Sequence, residues 1–200
     1  MANKRHYIAG VTPAGLAKYA FISKPETWQG TEVGYSIQIK MSEEDTKAFM
    51  EQLTDELEKA KESIELKPGK RWSKEPSMSM RTDAEGNILF KFKAKTTITT
   101  RGGETIKRSI PVVDAKGHPM HITSLGDGSI IKVAYSASPY WMSNNQNGMT
   151  LYLRAIQVLK YVPYGAGTAE SFGFSTDEDG YDVTEDAAED EEFVADDAEF

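Results

Sequence analysis

Lys91, Lys93 and Lys95 recur at every second position, interleaved with Phe90, Phe92 and Ala94. On a strand, period two puts the cations on one face and the apolar residues on the other. Arg101, Lys107 and Arg108 follow in the adjoining hairpin, and Lys132 adds a further cation later in the chain. Such a row can neutralise successive phosphates. Tyr140 and Trp141 stand among Ser, Asn and Gln in the segment 138–148. Flat rings in a polar loop can stack on unpaired bases, an interaction worth about 1–3 kcal/mol per base by alanine substitution. Taken singly, the lysine row also fits an ordinary solvated strand face, and Trp141 also fits a core plug. Their coincidence points to a single strand of nucleic acid held without base specificity. Trp28, and Trp72 beside Arg71, are weaker stacking candidates.

Other chemistries find less support. The chain has no cysteine, which removes disulfides, thiolate catalysis and cysteine-bound zinc. Neither a phosphate-binding glycine loop nor a nucleophile elbow is present. His118 and His121 follow a turn, without an evident third ligand for zinc. Ser175, Asp177, Asp179 and Gly180 match a calcium loop only in part. We therefore expect a protein that is not an enzyme and needs no cofactor or metal. A metal-dependent nuclease using tail or loop carboxylates is the weakest rival. An acidic-tailed interaction protein, such as a chaperone for basic partners, is the main alternative.

The net charge of −8 over 200 residues hides a segregation. Residues 170–200 carry 14 acids and no Lys or Arg. The first 169 residues hold all 23 Lys and Arg against 17 acids. Nine of those acids, with three lysines, fall within 42–65, which leaves the remaining body at +12. Sorting of this kind marks a basic binding body and an acidic interaction tail. Tethered beside the body, the tail should compete with nucleic acid at an effective concentration of about millimolar. Asp196, Asp197, Glu199 and Phe200 end it, and a terminal ring beside a carboxylate suits capture by another protein. Residues 1–7 lack the apolar core of a secretory signal, and no apolar run reaches the roughly 18 residues that span a membrane. A reducing cytosol is the expected setting.

The elements that must position these groups follow from periodicity. We expect a strand over 17–23 ended by Pro25, and another over 33–41 with Val33, Tyr35, Ile37, Ile39 and Met41 on one face. A helix should start at Ser42, which can cap it, with Phe49, Leu53, Leu57, Ala60 and Ile64 as its apolar stripe and its acids outside. Residues 70–85 read as a loop, 87–99 as the lysine strand, and 105–113 as its return after a turn at 101–104. Strands over 129–137 and 149–161 flank the ring-bearing loop 138–148. The implied fold is mainly β, an antiparallel barrel of five or six strands of the OB type with one long helix. A body over 1–164 would carry it, followed by a disordered acidic tail over 165–200.

Several stretches are familiar as a set: Lys18-Tyr19-Ala20-Phe21-Ile22-Ser23-Lys24-Pro25, Phe90-Lys91-Phe92-Lys93, Val112-Val113-Asp114-Ala115-Lys116-Gly117, and Ile131-Lys132-Val133-Ala134-Tyr135-Ser136 continuing to Pro139-Tyr140. With the tail ending in Phe200, the chain resembles the acidic-tailed single-stranded DNA-binding proteins of short-tailed bacteriophages. The tail is shorter than the family's longer examples, and 72–80 differs from the family's loop. The resemblance implies an OB-fold core and a role in phage DNA replication, recombination and repair in the host cell cytoplasm. It implies partnership of the tail with a DNA polymerase and a helicase-primase, and homodimers. It also assigns DNA contact to Tyr140 and the tail's key role to Phe200.

Overall fold

The computed structural model describes residues 8–164 apart from 65, 101 and 123. In chain order the elements are β1 (Ile8–Val11), β2 (Gly15–Trp28), β3 (Thr31–Lys40), α1 (Glu43–Ser63), β4 (Met80–Thr82), β5 (Ile88–Ala94), β6 (Thr97–Thr99), β7 (Thr105–Lys107), β8 (Val112–Val113), β9 (Ile130–Ser143) and β10 (Gln146–Lys160). Five of them close a ring. β2 pairs with β9 and β3, β3 with β5, β5 with β10, and β10 with β9. Closure leaves the barrel without a free edge. The pairing of β5 with β10 is parallel, whereas the other four are antiparallel, so this OB-fold-like barrel is mixed. β1, β4 and β8 extend the sheet from β9, β5 and β10.

Alternation builds the core. Ile37 and Ile39 of β3, Phe90 and Phe92 of β5, Val133 and Tyr135 of β9, and Leu151 and Leu153 of β10 are all buried. Helix α1 packs onto the same cluster. Ser42 caps it, its hydroxyl accepting the Asp45 N–H at 3.1 Å, and Glu43, Glu44 and Asp45 lie at the positive end of its dipole. Phe49, Leu53, Leu57 and Ala60 are buried along one stripe. The Phe49 ring stands edge-on to Phe90 at 4.9 Å and to Tyr135 at 5.4 Å. Such pairs add about 0.5–1.5 kcal/mol each beyond their burial.

Several expectations need correction. Pro25 does not end β2, which runs on to Trp28. The pairing with β3 slips between Lys18 and Phe21 and again before Glu26, so the proline falls where no ladder hydrogen bond is asked of it. Val33 is exposed, while Ser36 and Gln38, expected on the wet face of β3, are buried. Lys91 and Lys93 stand opposite those two residues, and Glu26 bonds Ser36, so the outer face of β3 is covered. The lysine strand stops at Ala94. Beyond it β6 and β7 form a separate two-stranded sheet in which Ile98 and Ile106 pair while exposed. The expected return strand is broken before Pro111, which lacks an N–H to donate, and β8 joins β10 instead. The ring-bearing loop is mostly strand: β9 continues through Tyr140 and Trp141, and the reversal shrinks to Asn144 and Asn145. The proposed tail over 165–200 lies outside the described residues.

Candidate nucleic-acid interface

The lysine row, the ends of β9 and β10, and the segment 77–81 enclose a groove of about 530 Å³. Lys91 and Lys93 come from β5, Tyr140 and Met142 from β9, Gln146 and Thr150 from β10, and Ser77, Ser79, Met80 and Arg81 from the segment hydrogen-bonded to both β5 and β10. Register explains the meeting. Lys93 stands between Ser36 on β3 and Tyr152 on β10, and Tyr140 pairs with Gly148 farther along the same two-strand ribbon. No lining residue comes from the acid-bearing helix α1.

The segment leading into these residues is held by the polar residues of the β9–β10 reversal. Asn144 Oδ1 accepts the Arg71 N–H at 2.9 Å, and Asn147 Oδ1 accepts the Ser73 N–H at 3.0 Å. The Asn147 amide also donates to the carbonyls of Ser143 and Asn144, which satisfies a side chain only 1% exposed. Ser77 donates its N–H to Asn147 O at 2.9 Å and accepts the Met149 N–H at 2.8 Å, and the Ser79 hydroxyl bonds Met149 O at 2.9 Å. This crossing needs Gly148, with φ of +150°: a Cβ there would meet Ser77 O at 2.0 Å. The Asn- and Ser-rich composition that suggested a solvated loop is a set of staples.

The groove's electrostatics are uneven. Lys91 Nζ donates to both oxygens of Glu26, at 2.8 and 3.2 Å, and the Ser36 hydroxyl donates to the same carboxylate at 2.8 Å. Burial pushes the Glu26 carboxyl upward. The hydrogen bonds from Lys91 and Ser36 and the charges of Lys91 and Arg81 outweigh it, so its pKa lies below the ordinary carboxylate value. Lys93, by contrast, is exposed and makes no ion pair among the described residues. The Arg81 guanidinium lies 4.5 Å from the Tyr19 ring. Tyr19 holds a left-handed φ of 49°, its N–H bonded to Asp127 Oδ1 at 3.1 Å, and its ring is half exposed. A non-glycine residue in that region costs on the order of 1–3 kcal/mol, here offset by the Asp127 bond and the guanidinium stack.

Of the residues expected at the site, Lys91, Lys93 and Tyr140 share the groove. Trp141 does not. Its indole N–H donates to Arg71 O at 3.1 Å, Lys70 Nζ sits 4.2 Å from its ring, and it lines a neighbouring concavity with Asn144 and Asn145. Lys95 is exposed just past the end of β5, and Lys107 is exposed on β7. Arg108 donates to Leu153 O at 2.9 Å, anchoring the hairpin to β10. Lys132 lies eight residues before Tyr140 on the outer face of β9, roughly 26 Å away along the strand. Trp28 is exposed at the end of β2, and Trp72 packs against the core with Lys61 5.8 Å from its ring. Arg101, Asp196, Asp197, Glu199 and Phe200 lie outside the described residues. His118 bonds Asp114 across the 114–118 turn at 3.1 Å, and no group of three His, Asp or Glu able to hold a metal occurs among the described residues.

Arg81 and Glu26 are the participants that sequence reasoning missed. The signal for Arg81 was a turn at Asp83-Ala84-Glu85-Gly86, which makes 80–82 a short partner of the lysine strand. Glu26 had no such signal, because its partner is 65 residues away.

Comparison with known proteins adds independent information. A family model described as the single-stranded DNA-binding protein of bacteriophage T7 matches residues 15–160. The crystal structure of gp2.5, a single-stranded DNA-binding protein encoded by bacteriophage T7, superimposes with a TM-score of 0.65 at 24% identity, covering 89% of this chain and 100% of that one. The single-stranded DNA-binding protein of bacteriophage Enc34 in complex with single-stranded DNA gives 0.49 at 13% identity, over 80% of this chain and 88% of that one. No curated protein matches.

Proposed function

The chain belongs to the family of the single-stranded DNA-binding protein of bacteriophage T7, and from that premise we propose how it holds its ligand. It is a phage single-stranded DNA-binding protein, of a family that is not a class of enzymes. The observation that supports a specific site is the meeting of Tyr140 with Lys91 and Lys93 on one groove. An unpaired base stacks on the Tyr140 ring, and the adjoining phosphates reach Lys93 and Arg81. Stacking reads only the π-face that every base presents, and ion pairing reads only the backbone, so binding is independent of sequence. Trp141 serves the same groove indirectly, by holding residues 70 and 71 against the β9–β10 reversal.

The acidic tail over 165–200 competes with DNA for the basic body and, when displaced, offers Phe200 with Asp196, Asp197 and Glu199 to a DNA polymerase and a helicase-primase. The body forms homodimers, and the protein acts without catalytic activity in replication, recombination and repair in the host cell cytoplasm. Among the described residues no helix is long and apolar enough to cross a membrane.

A fluorescent dT oligomer titrated against the full chain and a chain ending at residue 169, at two salt concentrations, tests this reading. Removing the tail changes the net charge from −8 to +6. We expect the shortened protein to bind more tightly, and both to weaken with salt by about 0.7 log units per log unit for each neutralised phosphate. Equal affinity would remove the competing tail. Negligible dT binding by either protein would favour an interaction protein acting through its tail.

A further inference from the structure

Lys91 is one of three cations lining the groove, yet it already holds an anion. The Glu26 carboxylate takes two hydrogen bonds from Lys91 and one from the Ser36 hydroxyl, and it feels the Arg81 charge. Ser36 is 2% exposed and donates to nothing else among the described residues, so its hydroxyl is committed to this one acceptor. A cation and a buried hydroxyl hydrogen-bonded to a pair of anionic oxygens, with the Arg81 guanidinium lining the same groove as that cation, make a donor set that a phosphodiester group requires. Glu26 reaches it only because β2 continues past Pro25, with Glu26 opposite Gly34 on β3.

We propose that Glu26 is a built-in occupant of a phosphate subsite formed by Lys91, Ser36 and Arg81, and that a DNA phosphate enters that subsite by displacing it. The inference rests on the groove being the DNA site. Exchanging one anion for another gains little net charge neutralisation, because the freed carboxylate attracts a cation as the phosphate loses one. Lys91 therefore adds almost nothing to the salt dependence while Glu26 is present. Glu26 thus tempers affinity, so that a strand is held by stacking and Lys93 and remains easy to release.

The test compares the full-length protein with Glu26→Gln in dT oligomer titrations across a salt series. The amide keeps the size and the Ser36 bond but not the charge. We expect Glu26→Gln to bind several-fold more tightly at low salt, with a log–log salt slope steeper by about 0.7, one further phosphate neutralised. In the unaltered protein, the Glu26 carboxyl-carbon resonance should shift when saturating dT oligomer is added, a readout that needs no variant. If Glu26→Gln binds no more tightly with the same slope, or the Glu26 resonance does not move in the complex, the displacement is wrong while the groove survives. If neither protein binds dT, the groove itself fails and the subsite with it.

Discussion

Tyr140 faces the groove with Lys93, whereas Trp141, one residue on, spends its indole N–H on Arg71 and its ring on Lys70. The same division separates the two lysines: Lys93 is open and Lys91 is paired with Glu26. That pair makes a prediction about pH. The Glu26 pKa is depressed in the folded protein. Its stabilisation is therefore present above the unfolded-state value of about 4.3 and fades as pH falls through the lower folded value. The melting-temperature gap between the unaltered protein and Glu26→Gln should be visible near pH 7 and shrink as pH falls below the unfolded-state value. A gap that did not change with pH would show that charge plays no part in it. The lysine period and the two rings were legible in the sequence, since both are local patterns. The Glu26 pairing and the indole bond were not, because each joins residues 65 or more positions apart.

Among elements, the β9–β10 ribbon decides the shape of the site. It extends beyond the barrel, and its Asn residues fasten the segment 71–77 that leads into the groove residues Ser77, Ser79, Met80 and Arg81. Removing a buried partner strands the group it satisfied, at about 1–3 kcal/mol. Asn147→Ala should cost that much in denaturant unfolding, and the Ser73 amide should exchange with solvent faster. Unchanged exchange at Ser73 would mean that the segment is held elsewhere. Helix α1 and the core faces of β3, β5, β9 and β10 were readable because their periodicities are long and unbroken. The extents of β2 and β9 were not. Pro25 and a run of Asn, Gln and Ser are ordinarily signals of chain reversal, and here bulged pairing and side-chain staples override them. The parallel closure of β5 on β10 was equally hidden, since alternation records which face is buried and not which strand lies alongside.

For the whole molecule, the charge sorting is what arithmetic on the chain reveals first and what the fold turns into a surface. A body at +12, apart from 42–65, folds so that two of its lysines and Arg81 meet a tyrosine in one groove, with the acid-rich helix contributing nothing to its lining. The most direct measurement is the affinity of the full-length protein and of the Lys93→Gln, Tyr140→Ala double variant for the same labelled dT oligomer. Losing one stacked ring and one phosphate contact should weaken binding by at least tenfold, from about 1–3 kcal/mol for the ring alone, and make the salt slope shallower by about 0.7. Unchanged affinity and slope in a variant that melts normally would contradict the placement of DNA in this groove.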